Sequence, residues 1–360
     1  MPDDTSAALG GLGATRDSIP GTFMGRVLLS GPMASIPYAA ACQTAFEAPR
    51  HRDEIGERTD RMLRMAEQAI VGYEPFFDVR LLVFPEFAHA VPIHDTVSKL
   101  SRDLAVEVPN EHVQAYERIC RKYGCYIQTG SFLEHDPEHG DDIVFNTTVL
   151  VGPEGVMFKY RKVNPWVPWE VSASPHDLDP TGHHFPVADT EIGRIGVATC
   201  YDWLFPESIR QIAFNGAEII CRISAYMDPW GATAPMDWWT VINRARAIEN
   251  RVFVVASNQG TALRDYPPFS WPGGSMVVDY DGRVLAQADP GPGEKVVVAP
   301  IDVETLRKER ERRRGHDMQA HYRSEAHPYA SSAGMKPAAS HPITIDSLNQ
   351  RIRESSGRLK

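Results

Sequence analysis

The stretch Arg194-Ile195-Gly196-Val197-Ala198-Thr199-Cys200-Tyr201-Asp202-Trp203-Leu204-Phe205-Pro206-Glu207 passes from a strand pattern to a helix pattern within a few residues. Arg194 to Thr199 reads as a buried strand with a thiol at its end. A helix is expected over Phe205 to Asn215, and a second strand over Glu218 to Ile223. Strand, helix and strand in that order are the building unit of an α/β sheet.

The same alternation extends in both directions. Upstream, strands are expected at Ile36 to Thr44, Val79 to Phe84, Cys125 to Leu133 and Ile143 to Val151, with helices at Arg52 to Gly72 and Asn110 to Tyr123. Gly152-Pro153-Glu154-Gly155 is a turn signal, and Val156 to Tyr160 completes a hairpin. Downstream come a helix over Pro235 to Asn250, a strand over Val252 to Ser257 and a hairpin about Asp281-Gly282. Lys295 to Ile301 and a charged helix end the pattern. Between Arg161 and Thr190 runs a Pro- and Trp-rich stretch too irregular for an element, and long loops in compact domains tend to be functional. These patterns predict one α/β domain over about residues 34–315, with an N-terminal arm at 1–33 and a C-terminal extension at 316–360.

Composition narrows the function classes. Of 360 residues 42% are hydrophobic and 23% charged, and no apolar run reaches the ~20 residues a bilayer crossing needs. A net charge of -10 argues against nucleic acid as partner and toward a small molecule. The basic run Arg307 to Arg314 is interleaved with glutamates and reads as a solvated helix face. Five cysteines are an odd number, fitting a reducing, cytoplasmic setting better than a disulfide framework. No secretory signal is read at the start. Cys120 and Cys125 lack a second ligand pair, and His135, His139, His183 and His184 read as loop polar groups, so neither a metal nor a cofactor is expected.

Three polar residues stand at the ends of otherwise apolar strands: Glu86 after Leu81-Leu82-Val83-Phe84-Pro85, Lys162 after the Val156 to Tyr160 strand, and Cys200. Carboxyl ends of strands are where ligands sit in α/β sheets, so the three can converge. A thiol nucleophile needs a base, and a developing oxyanion needs a cation or amide donors. Trp166, Trp169, Trp203, Tyr226 and Trp230 cluster in sequence near these positions and are candidate walls of an apolar pocket. Helical spacing of Trp238, Ile242, Ala245 and Glu249 makes Trp238 a core or interface residue.

Phe84-Pro85-Glu86, Lys159-Tyr160-Arg161-Lys162 and Cys200-Tyr201-Asp202-Trp203-Leu204-Phe205-Pro206-Glu207, in that order, resemble the three signatures of the nitrilase superfamily of carbon–nitrogen hydrolases. Ala247 to Arg251, Ala256 to Gly260 and Gly274-Ser275 are similar to further landmarks of that family. The resemblance covers about Tyr38 to Ile301. It implies a four-layer α-β-β-α sandwich and a Glu86, Lys162, Cys200 catalytic set cutting a non-peptide carbon–nitrogen bond. Lys162 to Glu170 is similar to the corresponding stretch of aliphatic amidases and formamidases, where a second glutamate lies eight residues after the lysine; Glu170 is thereby a fourth candidate.

By the same resemblance Glu86 takes the Cys200 proton, while Lys162 and the Tyr201 N–H hold the oxyanion. Ammonia leaves, and water opens the thioester. Arginine is absent after the nucleophile, which argues against N-carbamoyl amino acids, and Tyr201-Asp202 in place of Trp-Glu favours an amide over a nitrile. An N-acyltransferase and a catalytically silent interaction module are the rivals from other classes. Relatives of this kind build homo-oligomers from dimers, and the same is expected here.

Overall fold

The computed structural model describes residues 35–45, 47–94, 96–141, 143–166, 170, 182–227, 231–261 and 271–326. Twelve strands are described: β1 Pro37–Gln43, β2 Asp78–Val83, β3 Tyr126–Glu134, β4 Phe145–Gly152, β5 Gly155–Arg161, β6 Val187–Thr190, β7 Gly193–Thr199, β8 Ile219–Ser224, β9 Phe253–Asn258, β10 Met276–Val278, β11 Val284–Gln287 and β12 Lys295–Pro300. The helices are α1 Ile55–Tyr73, α2 Val97–Asp103, α3 Glu111–Tyr123, α4 Pro206–Phe214, α5 Trp238–Asn250 and α6 Val303–Arg312.

The strands form two six-stranded sheets, ordered β12-β1-β2-β3-β4-β5 and β11-β10-β9-β8-β7-β6. In each, three successive strands run parallel, β1-β2-β3 in one and β7-β8-β9 in the other. Antiparallel strands flank both triplets. The two halves of the chain therefore repeat one plan, with β12 returning from the far end to pair with β1.

Parallel strands covered on both faces read as continuous apolar runs rather than alternating ones, and β2, β7 and β8 do. Alternate residues serve different layers. Ile219, Cys221 and Ile223 of β8 pack with Leu81, Val83, Leu150 and Val197 between the sheets. Ile220 packs outward with Trp203, Ile209, Ile212 and Trp239 under α4 and α5. On the other side Leu82, Ile127 and Val149 pack against Met62, Ala66, Val113 and Tyr116 of α1 and α3. The layers are thus helix, sheet, sheet, helix, the sandwich expected from the motifs.

Several expectations change in detail. The irregular stretch does not run to Thr190: β6 occupies its last four residues as a short edge strand against β7, too short to carry a pattern. α2 is an added element, started by Thr96, whose hydroxyl accepts from Lys99 N at 3.3 Å. α5 begins at Trp238 rather than at Pro235, and its buried face is Trp239, Asn243, Arg246, Ala247 and Asn250. Trp238 is 45% exposed, so of the two expected places, core or interface, it does not take the core one. Residues 316–326 fold back on the same unit, where Gln319 Nε2 donates to Asn250 O at 3.0 Å and the Tyr322 and Phe214 rings meet at 5.4 Å. The expected arm at 1–33 and residues 327–360 of the expected extension lie outside the described residues.

Candidate active site

Cys200 sits where β7 ends and a short 3-10 helix, Cys200–Leu204, begins. Its φ is 46°, in the left-handed region that a non-glycine residue occupies at a cost of order 1–3 kcal/mol unless its surroundings over-determine it. They do so here. Asp202 accepts from Thr199 N at 3.0 Å, from Tyr160 Oη at 2.6 Å and from Asn164 N at 2.7 Å. Trp203 Nε1 donates back to Ala198 O at 3.0 Å. The thiol is held from both sides of the turn, and only 8% of the residue is exposed.

Glu86 follows β2 through Phe84-Pro85. This turn lies so close to Gly130 of β3, itself at φ 76°, that a Cβ there would meet Pro85 O at 2.5 Å. Glycine at 130 is thus what lets Glu86 reach its place. One carboxylate oxygen of Glu86 accepts from Lys162 Nζ and Asn146 Nδ2, each at 2.8 Å, and the other from Ala225 N at 2.9 Å. Lys162 Nζ donates a second time, to Glu170 at 2.5 Å. Glu170 in turn accepts from Asn146 Nδ2 and from Trp166 N, both at 2.6 Å. Glu86, Lys162, Asn146 and Glu170 make one closed, buried hydrogen-bonded ring.

The charges decide what this ring can do. Burial and then the facing Glu86 carboxylate, which also hydrogen-bonds the thiol, push the Cys200 thiol up; Lys162 and Arg222 pull it back only in part. In the resting site the sulfur keeps its proton. Burial works against the Lys162 ammonium, yet Glu170 and Glu86 outweigh it and hold the lysine charged. Burial raises Glu170, the adjacent Lys162 opposing it. The arrangement is therefore a neutral thiol beside a carboxylate and a locked ammonium, fit for proton transfer coupled to attack.

Glu86, Lys162 and Cys200, the three strand-end residues of the sequence, are brought together, and Glu170 stands beside Lys162. Tyr201, next to Cys200 in the same turn, packs edge-on against Phe205 at 5.2 Å. The candidate wall residues divide. Trp166 is half-buried against the cluster of Phe87, Met227 and Trp271. Trp203 is fully buried and Tyr226 nearly so, both beside Arg222. Trp169 and Trp230 lie outside the described residues. A cavity of about 330 Å³ borders Trp239, Thr233, Asp237 and Gln287, and none of the expected site residues lines it. All five cysteines are buried and free, and among the described residues no group of three His, Cys, Asp or Glu side chains could hold a metal.

Sequence reasoning passed over Asn146, Asp202 and Arg222. The last had a legible signal, a lone charge inside the apolar run Ile219-Ile220-Cys221-Arg222-Ile223. Asn146 opens a strand with polar residues and shows nothing locally.

A thiol, a carboxylate and an ammonium thus stand where strands of both sheets end, and comparisons with known proteins give the class of the chain that carries them. Residues 39–311 match the family model described as carbon-nitrogen hydrolase, so the chain belongs to that family, within the nitrilase superfamily, and is a hydrolase acting on carbon–nitrogen bonds. It is similar to a formamidase of Bacillus cereus (strain Q1), 29% identical over 269 residues that span 73% of either chain. A formamidase of Bacillus thuringiensis (strain Al Hakam) is likewise 29% identical, over 69% of each. Among solved structures, Saccharomyces cerevisiae Nit3, of branch 10 of the nitrilase superfamily, superposes with a TM-score of 0.62 at 26% identity, covering 78% of this chain and 95% of that one. An amidase from Nesterenkonia sp. AN1, carrying the acetamide moiety of fluoroacetamide on its active-site cysteine, shares the fold with a TM-score of 0.57 at 21% identity, over 82% and 97%.

Proposed function

We infer that this protein hydrolyses a small aliphatic amide to the carboxylic acid and ammonia through a thioester on Cys200. The observation that carries the reading is the buried ring of Glu86, Lys162, Asn146 and Glu170 with the protonated Cys200 thiol against Glu86. Glu86 takes the thiol proton as sulfur attacks the carbonyl carbon. Lys162 Nζ and the Tyr201 N–H, one of the donors a helix start leaves without an internal partner, hold the negative carbonyl oxygen. Collapse expels the amine, which takes the proton back from Glu86 and leaves as ammonia. Water, deprotonated by the same carboxylate, then attacks the thioester, and the acid departs as the thiol re-forms. Glu170 positions Lys162 and does not itself exchange protons with substrate.

The similarity to formamidases over more than two thirds of their length supports a short acyl group. Cys200→Ala is the test: ammonia release from formamide and acetamide should fall to background while the melting temperature stays near wild type. Ammonia release retained by that variant would overturn the nucleophile assignment.

A further inference from the structure

The guanidinium of Arg222 is fully buried in β8, yet no carboxylate pairs with it among the described residues. Its Nε donates to Ser224 Oγ at 3.2 Å and its Nη1 to Asn243 Oδ1 at 2.8 Å, while Nη2 finds no partner. Three rings enclose it: its Cζ lies 4.3 Å from the centroid of Trp239, 5.3 Å from Trp203 and 5.4 Å from Tyr226. A buried charge normally has an ion partner, because taking a lone ion out of water is strongly unfavourable. Rings compensate in part, but they bring no negative charge.

The placement shows where a partner charge would arise. In the parallel pair β7-β8, Arg222 stands opposite Ala198, two residues before Cys200. Ala198 and Cys200 belong with Trp203, Tyr226 and Trp239 to the same buried cluster on the helix side of the sheet. The ring of Trp203 thus touches both the guanidinium and the turn that carries the thiol. Lys162, the other cation of the site, is bound by two carboxylates. Arg222 has no such counter-ion among the described residues. The ionisable groups around Arg222 are Cys200, Tyr226, Arg246 and Glu86, and those around the sulfur are Glu86, Lys162 and Arg222.

We propose that Arg222 is a positioning residue for the nucleophile, a ring-caged cation behind Cys200 whose unspent charge stabilises the thiolate as its proton moves to Glu86. It touches neither substrate nor carbonyl oxygen. The proposal rests on Cys200 being the nucleophile.

The test compares Arg222→Met, Arg222→Gln and Arg222→Lys with wild type in two readouts: the pH profile of kcat/KM for formamide, and the pH dependence of Cys200 alkylation by chloroacetamide followed by mass. Without the cation, protons in the site are held more tightly. The acid limb of kcat/KM and the alkylation profile of the Met and Gln variants should therefore both move upward by about one pH unit. Arg222→Lys, which keeps the charge but not the fork, should bring both back toward wild type. A merely structural role lowers the height of the profiles in all three variants without displacing them, and that result overturns the proposal. Failure of both neutral variants to fold, with Arg222→Lys folded, assigns the charge to stability and overturns it as well. Cys200→Ala separates the two levels. If it stays active, the nucleophile reading fails; if it is inactive while Arg222→Met keeps the wild-type profiles, only the role of Arg222 fails.

Discussion

At Asn146 a single amide group serves two carboxylates, one N–H for Glu86 and one for Glu170. Its backbone carbonyl also accepts from Lys162 N at 2.9 Å, so one residue fixes the lysine and both of its counter-charges. Removing the side chain leaves two buried carboxylates short of a donor and free to turn about Lys162. Misplacement of about 1 Å at a reacting group can cost on the order of 100-fold in rate. Asn146→Ala is therefore expected to lower kcat for amide hydrolysis by about that factor, with KM less affected. Steady-state kinetics on formamide decide it, and an unchanged kcat would mean that Lys162 alone positions the pair.

At the level of the strand, the end of β5 is set by a second buried network directly behind the site. Glu134 at the end of β3 accepts two bonds from Arg161, both at 2.8 Å, one from Lys159 at 2.7 Å and one from Thr147 at 2.5 Å. Arg161 immediately precedes Lys162, so this network fixes where the lysine leaves the sheet. Taking one partner from a buried ion pair costs about 3–5 kcal/mol, since it strands the other charge. Arg161 keeps a second carboxylate partner in Asp136, so Glu134→Ala should lose stability toward the lower end of that range by urea unfolding. Lys159→Met should lose less than about 1 kcal/mol, because the Lys159 side chain is 36% exposed. Equal losses would contradict the assignment of Arg161 as the critical partner. At this scale the sequence was legible where strands were long and apolar, as in β7 and β8. It was not legible for β6, which has only four residues, or for α5, whose polar buried residues Asn243, Arg246 and Asn250 put the apolar pattern out of phase.

The whole molecule places the site where ends of strands from both sheets meet. Glu86, Asn146 and Lys162 come from the first sheet, while Cys200 and the Ala225 N–H come from the second. Stability of this assembly depends on acid through His89. Its ring is fully buried, stacked on Phe132 at 3.6 Å, with one nitrogen against Ser131 O and the other against Tyr116 Oη, each at 3.0 Å. Burial lowers its proton affinity to about 3, from 6.5. The unfolded chain therefore binds a proton that the folded chain refuses between those values. Stability from this residue is intact above pH 6.5 and falls as pH drops toward 3, by about 2 kcal/mol at pH 5. Urea midpoints at pH 7 and pH 5 should differ by less in His89→Gln than in wild type. An identical pH dependence in the two would exclude His89 as the source.

By itself the sequence determined the α/β alternation, because strand runs and helix periods are local patterns, while the four layers and the family followed from the resemblance of its three ordered motifs. It also named Glu86, Lys162, Glu170 and Cys200 through those motifs. Only the tertiary structure decided which polar side chains close the site. Asn146 meets Glu86 across 60 residues of chain, and Ala225 N reaches it across 139. Arg222 becomes a caged cation through Trp203, Tyr226 and Trp239 from three different segments. Such roles depend on how the two sheets pack, and packing is a property of distant segments brought together, not of any one stretch of residues.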